Sequence, residues 1–496
     1  MYSFKHVLGP LLCVGCSLVH ACDFSVSVDP LSGAPQRVDG ATLNAGGPVP
    51  PGATVCIQAD VYDRDKLEFI NFIGTPAQPI KIVNVGGQVL VQHARVYLDD
   101  SQFVELAGDG VAGIDYGFRI VAPAEQAFGM KQRSAAAPPL RGLRAHHIEI
   151  HYADRFGVQA VGVRGFEGSA EPEAIEDIEL HHILIHRGVD AHGNALGGFR
   201  EGFYIGSSFY GSAAVPLIRG VRIHHNTVQG AGWDGIQVGS ASAGCEIDHN
   251  VVIDDSRYLL RDQNSGIMIA KGSACSVHHN RILGGQGPGI YHQGLGDQAR
   301  NPAAPSGGLI YANLIVPSTA PLTAEPDPSN SMPDIATDDR RVGIWVAHAR
   351  DGANADRPGN MYVWHNTVIT DTQPGVVVAT DPTRIAGYQI SNNLVSGNAA
   401  AIHPSSGPAI VANRVAPTAD LQFAPDTELL GAPARQHLAY RLSEQSDLAR
   451  DQADPTTAAR VQRDLRGKRY GADGAADIGA DEYDPGQGFW DGFEGR

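Results

Sequence analysis

One phrase returns along the chain from about residue 145, and it limits what the chain can fold into. Its form is apolar, polar, His or polar, Asn, any residue, apolar. It reads Ile223-His224-His225-Asn226-Thr227-Val228, then Ile247-Asp248-His249-Asn250-Val251-Val252, then Val277-His278-His279-Asn280-Arg281-Ile282. Later copies centre on Asn313, Asn366 and Asn393, and degenerate copies lie at Ala145 to Ile150 and Leu180 to Ile185. The Asn positions are 24 to 53 residues apart. Short alternating strands around a fixed Asn turn, at unequal spacing, are what stacked coils with loops of variable size produce. Such a unit cannot bury its own apolar side chains and folds only against its neighbours. The expected fold is all-β, a right-handed parallel β-helix.

A second phrase shares these coils: Gly, apolar, any, apolar. It appears as Gly202-Phe203-Tyr204-Ile205, Gly235-Ile236-Gln237-Val238, Gly266-Ile267-Met268-Ile269, Gly289-Ile290-Tyr291-His292, Gly343-Ile344-Trp345-Val346 and Gly375-Val376-Val377-Val378. Strand alternation puts Ile236, Ile267, Ile290 and Ile344 in one inward stack. Tyr204, Gln237, Met268, Tyr291 and Trp345 then form an outward column on a single face.

The Asn column reads as architecture, since inward amides in successive turns bond one another and the backbone. The His column beside it (His225, His249, His279, His365) reads the same way. In His146-His147-Ile148-Glu149-Ile150-His151 the zincin reading would need helical spacing, whereas this stretch is in strand register. No metal ligand is assigned from the sequence.

The N-terminus carries Lys5 and His6, an apolar stretch from Val7 to Val19, and Val19-His20-Ala21 where a signal peptidase would cut. Residues 1–21 are therefore read as an export signal, 22–430 as the β-helix and 431–496 as a C-terminal cap and tail. A secreted or periplasmic protein follows, with lipid anchoring through Cys22 as the rival. No later stretch is long and apolar enough to span a bilayer. Without Cys13 and Cys16, four cysteines remain, an even count that suggests two disulfides in an oxidising compartment. Cys22 with Cys56 would staple the N-terminal cap. Cys245 and Cys275 each precede a repeat Asn by five residues, so they sit at one point of successive coils, ~5 Å apart.

A formal charge of −17 without any basic run argues against a nucleic-acid partner. A monomer is expected.

Near the C-terminus, Asp464-Leu465-Arg466-Gly467-Lys468-Arg469 and Asp477-Ile478-Gly479-Ala480-Asp481-Glu482-Tyr483 resemble the D-x-x-G-x-R … D-I-G-A-x-E signature of exported bacterial, pectate-lyase-like parallel β-helix proteins. The resemblance covers about twenty residues and implies an architecture, not a reaction.

Long insertions fall just before the Gly phrase: Arg187 to Arg200, Asp254 to Asn264, Leu295 to Gly308 and Pro317 to Arg341. They should emerge on one edge of one sheet and wall a groove over the outward column. Aromatic residues there suit sugar stacking. Arg200, Asp234, Arg261, Asn264, Lys271, Arg341 and His348 converge on the same edge, a local basic pattern in an acidic protein. An anionic polysaccharide fits that pattern. A uronate C5 proton becomes removable when its carboxylate is neutralised, by Arg, Asn, Gln or Ca²⁺, and a base is at hand. Lys271 is the expected base, helped or replaced by Tyr291 or His292, with Arg341, Arg261 or Asn264 on the carboxylate.

The stretch around Lys271 resembles the polysaccharide lyases of the chondroitinase B and alginate lyase type. Those carry a Lys at the end of one coil's strand and an Arg at the corresponding end of the next. Lys271 matches the first, and His292 or Gln293 stands where the Arg would be. Asn264 and Gly266 replace acidic residues that bind Ca²⁺ in that family. Ca²⁺ stays a candidate cofactor through Asp254/Asp255 and Asp338/Asp339. Two alternatives remain: a glycoside hydrolase with paired carboxylates from Glu201, Asp234, Asp262 and Asp338/Asp339, and a non-catalytic glycan-binding protein.

Overall fold

The computed structural model describes residues 21–27, 36–63, 66–123, 125–167, 175–191, 194–208, 216–260, 263–270, 273, 275–294, 307–318, 341–346, 360–370, 374–378, 388–397, 402–403, 410–423, 440–471 and 475–483. Among them the chain is a right-handed parallel β-helix, with all strand pairs between successive coils parallel. One coil runs through Ile236–Val238, Ala241–Asp248 and Val251–Ile253, and the next begins at Ile267–Ile269. The first of these strands belongs to a twelve-stranded sheet. The other two belong to a twenty-three-stranded sheet that bends at each Asn turn into two limbs.

The bend has a local cause. The residue before each repeat Asn is left-handed: His225, His249, His279 and His365 have φ between 51° and 55°, and Ala312 and Asn392 have φ of 50° and 58°. Such a residue turns the strand sharply, and the following Asn secures the turn. Asn226 donates through its backbone N–H and Nδ2 to Asn250 Oδ1, at 3.1 and 3.0 Å. Asn250 does the same to Asn280, and the ladder runs on through Asn313, Asn366 and Asn393 to Asn413. Each side-chain nitrogen also reaches back to a carbonyl, as Asn280 does to Ile247 O at 2.8 Å. Asn280→Ala strips two buried donors on Asn250 of their acceptor. The expected loss is on the order of 3–5 kcal/mol in denaturant unfolding. Asn413→Ala, at the half-exposed end of the ladder, should cost clearly less.

The Gly phrase has a steric origin. A Cβ on Gly235 would lie 2.6 Å from Gly266 O and 2.5 Å from a Val252 methyl. Gly202, Gly266, Gly289 and Gly343 meet the same pair, a carbonyl of the next coil and a Val or Ile methyl. The chain re-enters the sheet where no side chain fits. Beyond it Ile236, Ile267, Ile290 and Ile344 pair in register and are fully buried, as alternation requires.

Both disulfides are present, Cys22–Cys56 and Cys245–Cys275, with Cα atoms 5.7 and 4.5 Å apart. The sulfur of Cys22 is in that bond, the same atom a lipid anchor would need. Cys245 and Cys275 are register partners on adjacent coils. Replacing both with Ala releases a 30-residue loop in the unfolded chain, and the expected loss is roughly 3–4 kcal/mol by chemical denaturation.

The C-terminal signature is a set of backbone caps. Asp464 accepts the N–H groups of Arg466, Lys468 and Glu482, Glu482 accepts those of Gly471 and Asp477, and Asp477 those of Asp451 and Tyr483. The segment so shaped docks on the flank of the last coils. Gly479 N–H donates to Asn392 O, Ala480 N–H to Thr367 Oγ1, and Val461 and Tyr470 cover Trp364. Among the described residues no helix is long and apolar enough to cross a membrane. Residues 1–20 and 484–496 lie outside the described residues.

Candidate functional site

The outward column of the twelve-stranded sheet forms in the expected register, Tyr204, Gln237, Met268, Tyr291, Trp345 and then Val377. Tyr291 and Trp345 stack with centroids 4.8 Å apart and planes 26° from parallel. Tyr204 lies under the Arg164 guanidinium, 4.8 Å from the ring centre, beside a pocket of about 220 Å³ that also touches Glu167, Ser207 and Pro216. Between these two places the column is not the open face that the pattern suggests. Gln237 and Met268 are 1% and 2% exposed, Tyr291 is buried as well and only Trp345 beyond it is half-buried. The Ser207-Ser208 segment folds over Gln237, whose Nε2 donates to Ser208 Oγ.

The remaining candidates separate. Arg341 is buried at the entry to the Trp345 strand and donates to Ser318 O at 2.9 Å. Arg200 stacks on Trp233, 4.5 Å from its ring centre, inside a small cluster with Tyr258 and Leu260. Asn264 is buried, and the Gln293 backbone continues the sheet to Ile269 O. His292 corrects an expectation. As the third residue of its strand it shares the inward side with Ile290, and it is fully buried. A Cβ on Gly308 would lie 3.3 Å from its Nε2, so the ring fills interior space vacated by that glycine. A base working on an outward substrate cannot be there. Lys271, Arg261 and His348 lie outside the described residues, as do Asp262, Asp338 and Asp339.

Three buried carboxyls line the sheet's entry edge. Glu201 precedes Gly202 and Asp234 precedes Gly235, so they occupy adjacent rungs, and Asp255 arrives from the following loop. Burial pushes Glu201 up to about 7, against a smaller opposing effect of Arg200 and Arg164. Asp255 is likewise pushed up to about 7 by burial, and Asp234 well above the usual carboxylate range by burial and then by the charges of Glu201 and Asp255. Asp234 Oδ1 accepts from Ser265 N–H and Oγ at 2.8 and 2.7 Å, and Asp255 from Ser256 Oγ at 2.6 Å. Neighbouring carboxyls removed from water cannot all ionise. They hold protons near neutral pH, which suits an acid more than a nucleophile.

On the first limb of the other sheet the structure presents a feature that the repeat pattern did not assign. A groove of about 440 Å³ runs along the axis past Glu105, Arg144, Glu179, Arg222 and Glu246. These are register partners on successive coils and alternate in sign, with Lys81 at the head of the row. Beside them stack His146, His181 and His224, at 4.5 and 4.9 Å.

No protein-family model and no curated protein sequence matches this chain. Solved structures do. Pectate lyase Pel9A is 13% identical with a TM-score of 0.44, over 91% of this chain and 97% of that one. A mutant of the PL6 family alginate lyase AlyGC is 11% identical with a TM-score of 0.42, over 82% of this chain and 56% of that one. A rhamnogalacturonan lyase is 12% identical with a TM-score of 0.39, over 82% and 93%. These likenesses concern the path of the chain.

Proposed function

We propose that this chain is an exported polysaccharide lyase that cleaves a uronic-acid-containing polysaccharide by β-elimination. The observation that carries the reading is the stacked Tyr291–Trp345 pair on the outward column, in which Trp345 is half-buried over a buried Tyr291, with the buried Arg341 four residues before it. The half-buried Trp345 ring, backed by Tyr291, offers an apolar sugar face its complement, and the Arg341 guanidinium, which donates to Ser318 O, adds positive charge beside it. Lys271 follows the strand that carries Met268 and supplies the base. It takes the C5 proton, the C4–O4 bond breaks as the C4=C5 double bond forms, and O4 leaves with a proton from an acid. Neutralising the uronate carboxylate makes the C5 proton acidic enough to move. Two disulfides fit a protein working outside the reducing cytoplasm.

A second reading rests on Glu201 and Asp234. Two protonated carboxyls on adjacent rungs supply the acid that a glycoside hydrolase needs. One experiment separates the two. The mature chain is incubated with alginate, pectate, glucuronan, hyaluronan and chondroitin sulfates, with and without Ca²⁺. Growth of the ultraviolet absorbance of a 4,5-unsaturated uronate is expected on one polymer. New reducing ends without that absorbance would favour hydrolysis. Neither signal on any polymer would leave the glycan-binding reading.

A further inference from the structure

We infer that the broad sheet carries two sites for a divalent transition ion such as Zn²⁺, one formed by Glu149, His151 and His186 and the other by Glu179, His181 and His224. The strand register that sets aside a helical zincin reading creates a different ligand set. Glu149 and His151 are two apart on one strand and share a face, and His186 is the register partner of His151 on the next coil. Glu179, His181 and His224 repeat the arrangement, with His224 the register partner of His181. In each set the three donor atoms lie within 4.8 Å of one another. Two imidazoles and one carboxylate are the donors that Zn²⁺ and its neighbours prefer. Ca²⁺ and Mg²⁺ require several oxygens and are a poor fit.

Both sets also share the surroundings that orient ligands. An Arg on the preceding coil holds one carboxylate oxygen: Arg119 Nε lies 3.1 Å from Glu149 Oε2, and Arg144 Nε 3.0 Å from Glu179 Oε2. The other oxygen faces the histidine of the next coil, 3.0 Å from His186 Nε2 and 3.0 Å from His224 Nε2. The paired rings stack at 4.3 and 4.9 Å. In the second set Nδ1 of His181 meets Nδ1 of His182 at 2.7 Å, and Nδ1 of His224 meets Nδ1 of His225 at 2.8 Å. Those contacts let each ligand ring donate from Nδ1 and turn the Nε2 lone pair to an ion, the role such outer partners play at metal sites. A binding ion replaces the Glu–His hydrogen bond, and the neutral ring changes tautomer, its proton moving from Nε2 to Nδ1. Glu105 bonds His146 in the same way at 2.9 Å, but Ala107 stands where the second imidazole would be, and the donors grouped with His146 are instead His147 and Asp109.

The test uses the mature chain stripped with EDTA, dialysed against micromolar Zn²⁺ at pH 7.5 and assayed for bound metal. Two Zn²⁺ per chain are expected, one each in His151→Gln and His181→Gln, none in the double variant, and no uptake of Ca²⁺. Wild-type protein that retains no Zn²⁺, or a double variant that retains as much as wild type, overturns the inference. Should the double variant fail to fold by circular dichroism, the wild type decides through Co²⁺. Visible bands of low-coordinate Co²⁺ that are bleached by Zn²⁺ are expected, and their absence overturns it.

Discussion

Lys271→Ala is expected to lower the elimination rate by a factor of roughly 10²–10⁴, the range over which a positioned general base acts. Lys271→Arg should be about as slow, although it keeps the positive charge, because a guanidinium does not give up its proton in this pH range. That pair separates a base from a mere charge. Glu201→Gln gives the opposite contrast. The amide keeps the shape of a buried group that already holds its proton near neutral pH, so elimination should stay within a few-fold of wild type. If hydrolysis is the chemistry, the pattern inverts, because removing the acid then costs the rate and Lys271→Ala leaves it intact. The measurement is kcat/KM on whichever uronate polymer turns over, with circular dichroism to confirm that each variant folds. Full elimination activity in Lys271→Ala would remove that residue from the site.

What could be read in the sequence was whatever the repeat locks. Each Asn sits at a corner where the residue before it is left-handed, so its place in the phrase fixes its place in the ladder. The same lock made the Cys245–Cys275 bond legible, since both lie five residues before such an Asn. The inward Ile stack and the outward column followed from period-two alternation. At His292 the pattern and the chemistry pointed apart. Its position in the Gly phrase is inward, and only the chemistry of a histidine near Lys271 suggested otherwise. The burial of Gln237 was not legible, because the Ser207-Ser208 segment that covers it belongs to an irregular stretch outside the phrase. The paired ligand sets were hidden differently. Their members lie 37 and 45 residues apart across coils of unequal length, as in Glu149–His186 and Glu179–His224. A signal was nevertheless present: Glu149-Ile150-His151 and Glu179-Leu180-His181 are the same E-x-H alternation in consecutive coils.

Two families of buried groups should pull the stability of this helix in opposite directions as pH changes. His365 is fully buried behind the docked C-terminal segment, and burial holds it down to about 3. The unfolded chain binds a proton there below about 6.5, while the folded chain stays neutral. Stability is therefore lost as pH falls from 6.5 towards 3, at about 1.4 kcal/mol per pH unit. Asp255 has the reverse sign, since burial raises it to about 7. The folded chain keeps that proton between the ordinary carboxylate value and 7, so stability is gained as pH falls through the same window. The two slopes nearly cancel in the wild type, and single variants uncover them. His365→Asn places there the residue that the next coil already uses, Asn392, with φ of 58°. Between pH 6.5 and 4.5 it should gain roughly 2.7 kcal/mol relative to wild type. Asp255→Asn should lose a similar amount over the same interval, so the two variants diverge by about 5 kcal/mol. Guanidinium unfolding at four or five pH values measures both. Parallel profiles for the three proteins would mean that neither group is held away from its ordinary titration, and that the interior of these coils is wetter than their burial implies.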